Sequence, residues 1–282
     1  MIWSYALPQP SVSRVRRVAW LTLQLAKLRP MQPLLRWARA TRRGQRAAAW
    51  LLGFRRPFPC REAAASEALR FLGSAHQTHK NLHEHLGFAV SQRVSDYPII
   101  FFLSCIEGRF EVFDLGGNVG NLFYCYRRYL PNIDRITWTV FDLPRTIQVG
   151  ARLARRRGLL DRLGFTDDLA EAKRAGVFLA SGSLHYFDQP LHEILAGLAH
   201  RPAHVFVNRT PLTDAPTTHT VQDAGFGLVA CTLHNRGDLI EGMQSLGYVL
   251  VDQWSIHEMS LDIPLYPELS VGFYSGLYFR MP

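Results

Sequence analysis

The residues whose spacing carries the most chemistry lie between Glu111 and Leu130, where the chain reads EVFDLGGNVGNLFYCYRRYL. Val112 and Phe113 are strand formers leading into Asp114; Gly116, Gly117 and Gly120 follow, and Leu122, Phe123, Tyr126, Tyr129 and Leu130 then recur at helical spacing. This order predicts a strand, a glycine turn and a helix. Glycine takes backbone conformations closed to residues with a Cβ and lets a ligand approach the main chain. The helix is expected to begin near Asn118 or Val119, so that its unpaired N–H groups face the space over the turn. Such a turn is a cradle for a small polar ligand.

The acid narrows the ligand. A dinucleotide turn reads G-x-G-x-x-G against a pyrophosphate, with an acid about 20 residues further on. Here the order is D-x-G-G-x-x-G, and a carboxylate ahead of the glycines suits a cationic ligand, such as the ammonium and sulfonium of S-adenosylmethionine. A second acid follows the run Ile136 to Phe141: Asp142 stands 28 residues after Asp114. It falls at the C-terminal edge of the next parallel strand, where a carboxylate can take both hydroxyls of a ribose. Glycines in a plain β-α turn, and Asp142 as a cap or turn acid before Pro144, remain open alternatives.

Further along, Leu163 to Thr166 reads as a short third strand, after which Asp167 and Asp168 are expected to cap a helix. A fourth strand, Val177 to Ala180, runs into Ser181-Gly182-Ser183-Leu184-His185-Tyr186, whose small residues permit close approach. A fifth, Val205 to Val207, delivers Asn208 and Arg209. The planar fork of Arg209 suits a phosphate, uronate or carboxylate, and equally a structural ion pair that pins a loop. Gly237 and Asp238 open a helix that Gly247 closes, Tyr248 to Trp254 reads as a strand, and Val271 to Arg280 as the last one.

DLGGNVG, VFDLP, LASGSLHYF and NRTPL, in this order, resemble a bacterial family of class I S-adenosylmethionine-dependent methyltransferases, some of them associated with surface-polysaccharide biosynthesis. VFDLP is also similar to the second motif of small-molecule O-methyltransferases, and the resemblance spans roughly Asp96 to Tyr248. It implies an α/β, Rossmann-like, mostly parallel seven-stranded sheet closed by an antiparallel pair near the C-terminus, with an N-terminal helical extension. It implies methyl transfer from S-adenosylmethionine to a small-molecule or glycan-type acceptor at O or N. Asp114, Gly116, Gly117, Asn118 and Gly120 then take the methionine side of the cofactor, and Asp142 and Leu143 the ribose. Phe165 and Thr166 take the adenine, while Ser181, Gly182 and Ser183 lie beside the methionine part. His185 is the candidate base, because a side chain titrating near 6.5 suits an O–H or N–H acceptor, or else a hydrogen-bonded structural residue. Tyr97, Tyr186, Asn208, Arg209 and Gln222 are expected to line the substrate side. The rival readings are an NAD(P)-dependent oxidoreductase and a non-catalytic membrane- or partner-binding protein that keeps the fold.

Composition sets the frame. The chain has 282 residues, 48% hydrophobic and 20% charged, as in globular proteins. Its net charge of +9 is unevenly spread: residues 1–61 carry 13 of the 32 Lys and Arg and none of the 23 Asp and Glu, leaving the rest net acidic. Three parts are expected: a basic amphipathic helical extension over 1–61, a helical cap over 62–109, and the Rossmann-like domain over 110–282. The extension alternates Arg with Trp and Leu and is broken at Pro30 and Pro33. No apolar run in it reaches the about 18 residues a membrane span needs. Such a segment packs as a cap on the catalytic domain or lies on an anionic membrane surface, and its Arg-rich, acid-free composition also fits a transit peptide. No nucleic-acid motif accompanies the charge.

Cys60, Cys105, Cys125 and Cys231 are too scattered for a disulfide framework or a zinc site, which suits a reducing cytoplasm, with peripheral contact at the inner face of the membrane, and most are expected in the core. His79 and His83 share a helix face within 61–87, near His76 and His85, but no third ligand follows and no metal is expected. Ser95-Asp96-Tyr97-Pro98 breaks the pattern before a buried helix, IIFFLSCIEG, with Tyr97 either reaching the pocket or starting that helix.

Overall fold

The computed structural model describes residues 56–72, 92–223, 228–263 and 266–282, with the single positions 30, 33 and 41. The extension up to residue 55, apart from those three positions, and His76, His79, His83 and His85 lie outside the described residues.

Seven strands form the central sheet: β1 Phe110–Leu115, β2 Ile136–Phe141, β3 Leu163–Thr166, β4 Val177–Ser181, β5 His204–Thr210, β9 Val249–Ile256 and β10 Tyr274–Arg280. Their order is β3-β2-β1-β4-β5-β10-β9. All neighbours from β3 to β5 pair in parallel, whereas β10 runs antiparallel to both β5 and β9. The sheet is thus mostly parallel, Rossmann-like and closed by an antiparallel strand, as the resemblance implied.

The central strands are apolar on both faces because helices cover both faces. Val112, Leu179 and Phe206 point into one core with Ile99 and Leu103 of helix α2 (Tyr97–Cys105) and Phe123 of α3 (Asn121–Tyr126). Phe113, Phe178, Ala180 and Val207 point into the other, against Leu195 of α5 (Leu191–Ala196) and Met243 of α6 (Arg236–Ser245). Neighbouring residues of one strand go to opposite cores, as the strand period of two dictates.

Several expectations are corrected. Helix α3 starts at Asn121, later than Asn118 or Val119, because Asn118 (φ 56°) and Gly120 (φ 90°) are left-handed and end the turn instead of opening a helix. It stops at Tyr126, leaving Tyr129 and Leu130 in the following turn. Helix α2 buries Ile99, Ile100 and Leu103 but exposes Phe101, so it is buried on one face only. Cys125 and Cys231 are buried, whereas Cys60 and Cys105 are exposed; all four are free.

A second sheet was not foreseen. β6 (Leu212–Thr213), β7 (Thr218–Asp223) and β8 (Leu228–Asn235) pair in the order β6-β8-β7. The runs of β-formers on either side of the glycine-containing stretch after Asp223 were the available signal. Helix α1 (Arg61–Leu72) covers this sheet, with Ala64 and Ala68 packed against Val221, Leu228 and Ala230. Helix α4 (Pro144–Arg156) joins β2 to β3. Among the described residues no helix is long and apolar enough to cross a membrane.

Candidate functional site

The C-terminal ends of β1, β2, β4 and β5 share one edge of the sheet, and the sequence-predicted residues converge there. The turn after β1 is drawn onto β2: Gly116 donates its N–H to the Phe141 carbonyl at 2.8 Å. Its glycines serve the protein's own packing as well as any ligand. A Cβ at Gly117 would lie 2.4 Å from Asp114 Oδ2, and one at Gly116 would lie 2.5 Å from the Ser183 Cβ.

Asp114, 1% exposed, accepts a hydrogen bond from Trp138 Nε1 at 3.0 Å. Burial pushes its carboxyl up to about 7; the Trp138 bond opposes this, the charge of Asp142 adds to it and that of Arg209 works against it. A buried acid so placed favours a cationic partner. Asp142 stands at the end of β2, its Oδ2 accepting from Asn118 N–H at 2.9 Å and its Oδ1 from Leu143 N–H at 2.7 Å. Burial raises its pKa against those two bonds and one from the Thr146 side chain. The carboxylate therefore ties the glycine turn to β2 and, with Thr146 as a third donor, keeps acceptor capacity for a ligand hydroxyl. Leu143, exposed, is the N-cap position of α4 and its side chain makes no capping bond.

Phe165 is partly buried and lies so close to Gly150 of α4 that a Cβ there would meet its ring. Thr166 Oγ1 accepts from the Asp168 N–H at 3.0 Å, and Asp168 caps the next turn through Ala170 N–H at 2.9 Å, the capping role expected of it. Beyond β4, Ser183 donates its hydroxyl to the Leu115 carbonyl, and Gly182 (φ 76°) donates its N–H to Asn208 O. Ser181 Oγ accepts from Asn208 Nδ2 at 3.1 Å and from Arg209 Nη2 at 2.9 Å. The small residues of this stretch thus bind β4 to both neighbouring strands.

His185 is buried, its ring centroid 4.1 Å from that of Tyr186 and 6.1 Å from that of Tyr274. Tyr186 donates its hydroxyl to Gln222 Oε1 at 2.9 Å, and Gln222 Nε2 donates to the Tyr274 hydroxyl at 3.2 Å. Residues from the turn after β4, from β7 and from β10 thereby form one polar cluster. Burial moves both phenols up, so both remain protonated donors. Arg61 of α1 closes over the same stretch, donating to the Tyr186 carbonyl and pairing with Asp188 at 2.7 Å.

Of the remaining substrate-side candidates, Asn208 and Arg209 end β5 at this edge and Tyr97 does not. Asn208 is fully buried, with its amide divided between Ser181 and Trp254 Nε1, so it is spent inside the sheet. Tyr97 is exposed; its hydroxyl accepts from Gln92 and its ring meets Tyr129 edge-on, so its contacts are with none of the candidate residues. Arg209, 8% exposed and held at φ 50°, forms the structural ion pair that the sequence left open, its Nη2 lying 3.0 Å from Asp96 Oδ1. Asp96 also accepts from Tyr126 Oη at 2.8 Å and from Arg93 N–H at 2.8 Å. Sequence reasoning missed Asp96, Trp138 and Tyr274. Only the placement of Asp96 ahead of Tyr97-Pro98 carried a signal.

No family model matches the sequence, and no curated protein matches it. Solved structures do. A 1,6-didemethyltoxoflavin-N1-methyltransferase of Burkholderia thailandensis, with bound 1,6-didemethyltoxoflavin and S-adenosylhomocysteine, is 18% identical and matches over 67% of this chain and 78% of its own, with a TM-score of 0.43. The mitomycin 7-O-methyltransferase MmcR is 15% identical, with 96% of this chain and 69% of its own covered and a TM-score of 0.45. The [4+2]-cyclase SpnF is 17% identical, with 80% and 98% covered and a TM-score of 0.47.

Proposed function

We propose that this protein is an S-adenosylmethionine-dependent methyltransferase that acts on a small-molecule or glycan-type acceptor at O or N. The observation that supports it most is the placement of Asp142 at the end of β2 with Oδ2 on the glycine turn, in a sheet whose β10 runs antiparallel between β5 and β9. The donor set fits the cofactor: Asp114 is a buried acid suited to an ammonium, and Asp142 keeps acceptor capacity for a ribose hydroxyl.

When bound, the cofactor supplies a methyl group activated by a positively charged sulfur. The chain's own residues bind and orient. Asp114 holds the charge of the amino-acid end, Asp142 fixes the ribose, and the packed Ser181–Ser183 stretch brings main chain close to the donor. His185 takes the proton that an O–H or N–H acceptor must lose, while Tyr186 and Gln222 orient that acceptor. Because methyl transfer is a displacement at carbon, the rate gain rests chiefly on positioning and exclusion of water. The basic segment 1–61 is assigned to peripheral contact with an anionic membrane, where a lipid-linked glycan precursor would be met, and the location to the cytoplasm.

Calorimetric titration with S-adenosylmethionine, S-adenosylhomocysteine and NAD tests the reading. Micromolar binding of the first two and none of NAD is the expected outcome. A folded sample that binds neither adenosyl ligand refutes it, and binding of NAD alone moves the assignment to an oxidoreductase.

A further inference from the structure

Arg209 is the one buried Lys or Arg side chain among the described residues. It sits in a left-handed backbone conformation that costs a residue with a Cβ about 1 kcal/mol or more, so the surrounding structure holds it there. Its side chain folds back across the sheet edge onto Ser181, through Nε at 3.2 Å and Nη2 at 2.9 Å. Ser181 ends β4 two residues beyond Leu179, and Leu179 is registered against Asp114 on β1. Ser183, two residues further on, touches the glycine turn. The guanidinium therefore lies on the Asp114 side of the sheet edge, and its charge is felt in the titration of Asp114. Its Nε and Nη2 are engaged by Ser181 and Asp96, whereas Nη1 takes part in none of the hydrogen bonds of the described residues.

We propose that Arg209 receives the α-carboxylate of the cofactor's amino-acid end through Nη1, with Asp96 as the positioning residue that aims it. The proposal rests on the adenosyl-cofactor reading and deepens it. An amino-acid end is a zwitterion; the acids Asp114 and Asp142 answer its ammonium and the ribose but leave its carboxylate without a partner. Burying that carboxylate unpaired would be costly, and Arg209 is the buried cation at hand. Asp96, 2% exposed and locked by Tyr126 and Arg93, fixes the plane of the guanidinium as a carboxylate fixes a catalytic imidazole. This moves Arg209 from the acceptor to the cofactor.

The test is calorimetry on the full chain with S-adenosylhomocysteine and with its decarboxylated analogue, which keeps the amine and lacks the carboxylate. The wild-type chain is expected to bind S-adenosylhomocysteine about tenfold to a hundredfold more tightly than the analogue. Arg209→Gln should lose that preference while keeping its affinity for the analogue, and Arg209→Lys should retain part of it. Equal binding of the two ligands by the wild-type chain, or a preference that survives Arg209→Gln, overturns the proposal. If melting curves show Arg209→Gln to be unfolded, Asp96→Asn serves instead, since it removes the charge but keeps an acceptor oxygen for Tyr126 and Arg209. A shrunken preference in Asp96→Asn supports the assignment, and an undiminished one overturns it. Failure of the wild-type chain to bind either ligand overturns the cofactor reading itself, so the two failures are distinguishable.

Discussion

Trp138 on β2 donates its indole N–H to Asp114 on β1 at 3.0 Å, and this is the one side-chain hydrogen bond that the described residues give to that buried carboxylate. Burial prevails over the bond, and the carboxyl titrates at about 7. The folded chain thus holds an acid that it does not fully neutralise, at the place where a cationic ligand is expected.

Stability should register this. A carboxyl whose folded pKa lies above its unfolded value of 3.8 leaves the fold most stable below that value, and the advantage is lost as pH rises through about 7. The loss is on the order of 4 kcal/mol. Asp114→Asn, which keeps an acceptor for Trp138, should remove most of this decline. Urea unfolding at pH 5 and pH 8 measures it: the wild-type chain should lose more stability than the variant between the two, and parallel losses would contradict the assignment.

The same group should make ligand binding depend on pH. An ammonium pairs with ionised Asp114, so affinity for S-adenosylhomocysteine should rise by up to about tenfold per pH unit below 7 and level off above it. Asp114→Asn should bind more weakly at pH 8 and show a flat profile. Calorimetry across pH 5.5 to pH 8 gives both quantities.

Asp142→Ala should weaken adenosyl-ligand binding by about 1–3 kcal/mol, because charged hydrogen bonds to the ribose are lost. It also frees the N–H groups of Asn118 and Leu143, so a modest fall in melting temperature should accompany it. Unchanged affinity in a folded variant would remove Asp142 from the ribose side.

Tyr274→Phe tests the division between the two halves of the site. Losing the hydroxyl leaves the Gln222 amide short of an acceptor, a cost of about 1–3 kcal/mol in stability. Affinity for S-adenosylhomocysteine should stay within error if, as proposed, the Tyr186–Gln222–Tyr274 cluster faces the acceptor. A large fall in that affinity, measured by calorimetry, would place the cluster on the cofactor instead.

Much of the fold was legible in the order of residues alone. Leu163 to Thr166 is a strand of the boundaries expected, since β-formers are bounded there by polar turn residues, and Asp168 caps the turn after it. Asp142 stands at a strand end because ITWTVF can only run up to it. Local propensity and periodicity act between near neighbours, so they can be read from a linear chain. The start of α3 falls later than expected because Asn118 is left-handed, with its N–H bonded to Asp142, 24 residues away.

What only the tertiary structure decided are the pairings across long separations. Arg209 meets Asp96 across 113 positions, and Tyr274 meets Gln222 across 52. Nothing local distinguishes an arginine bound for an acceptor from one locked to an aspartate; strand order and the fold of the segment ahead of α2 settle it. The residue types determined which chemistry was available, and the packing of the sheet edge determined which side chains had already spent theirs on one another.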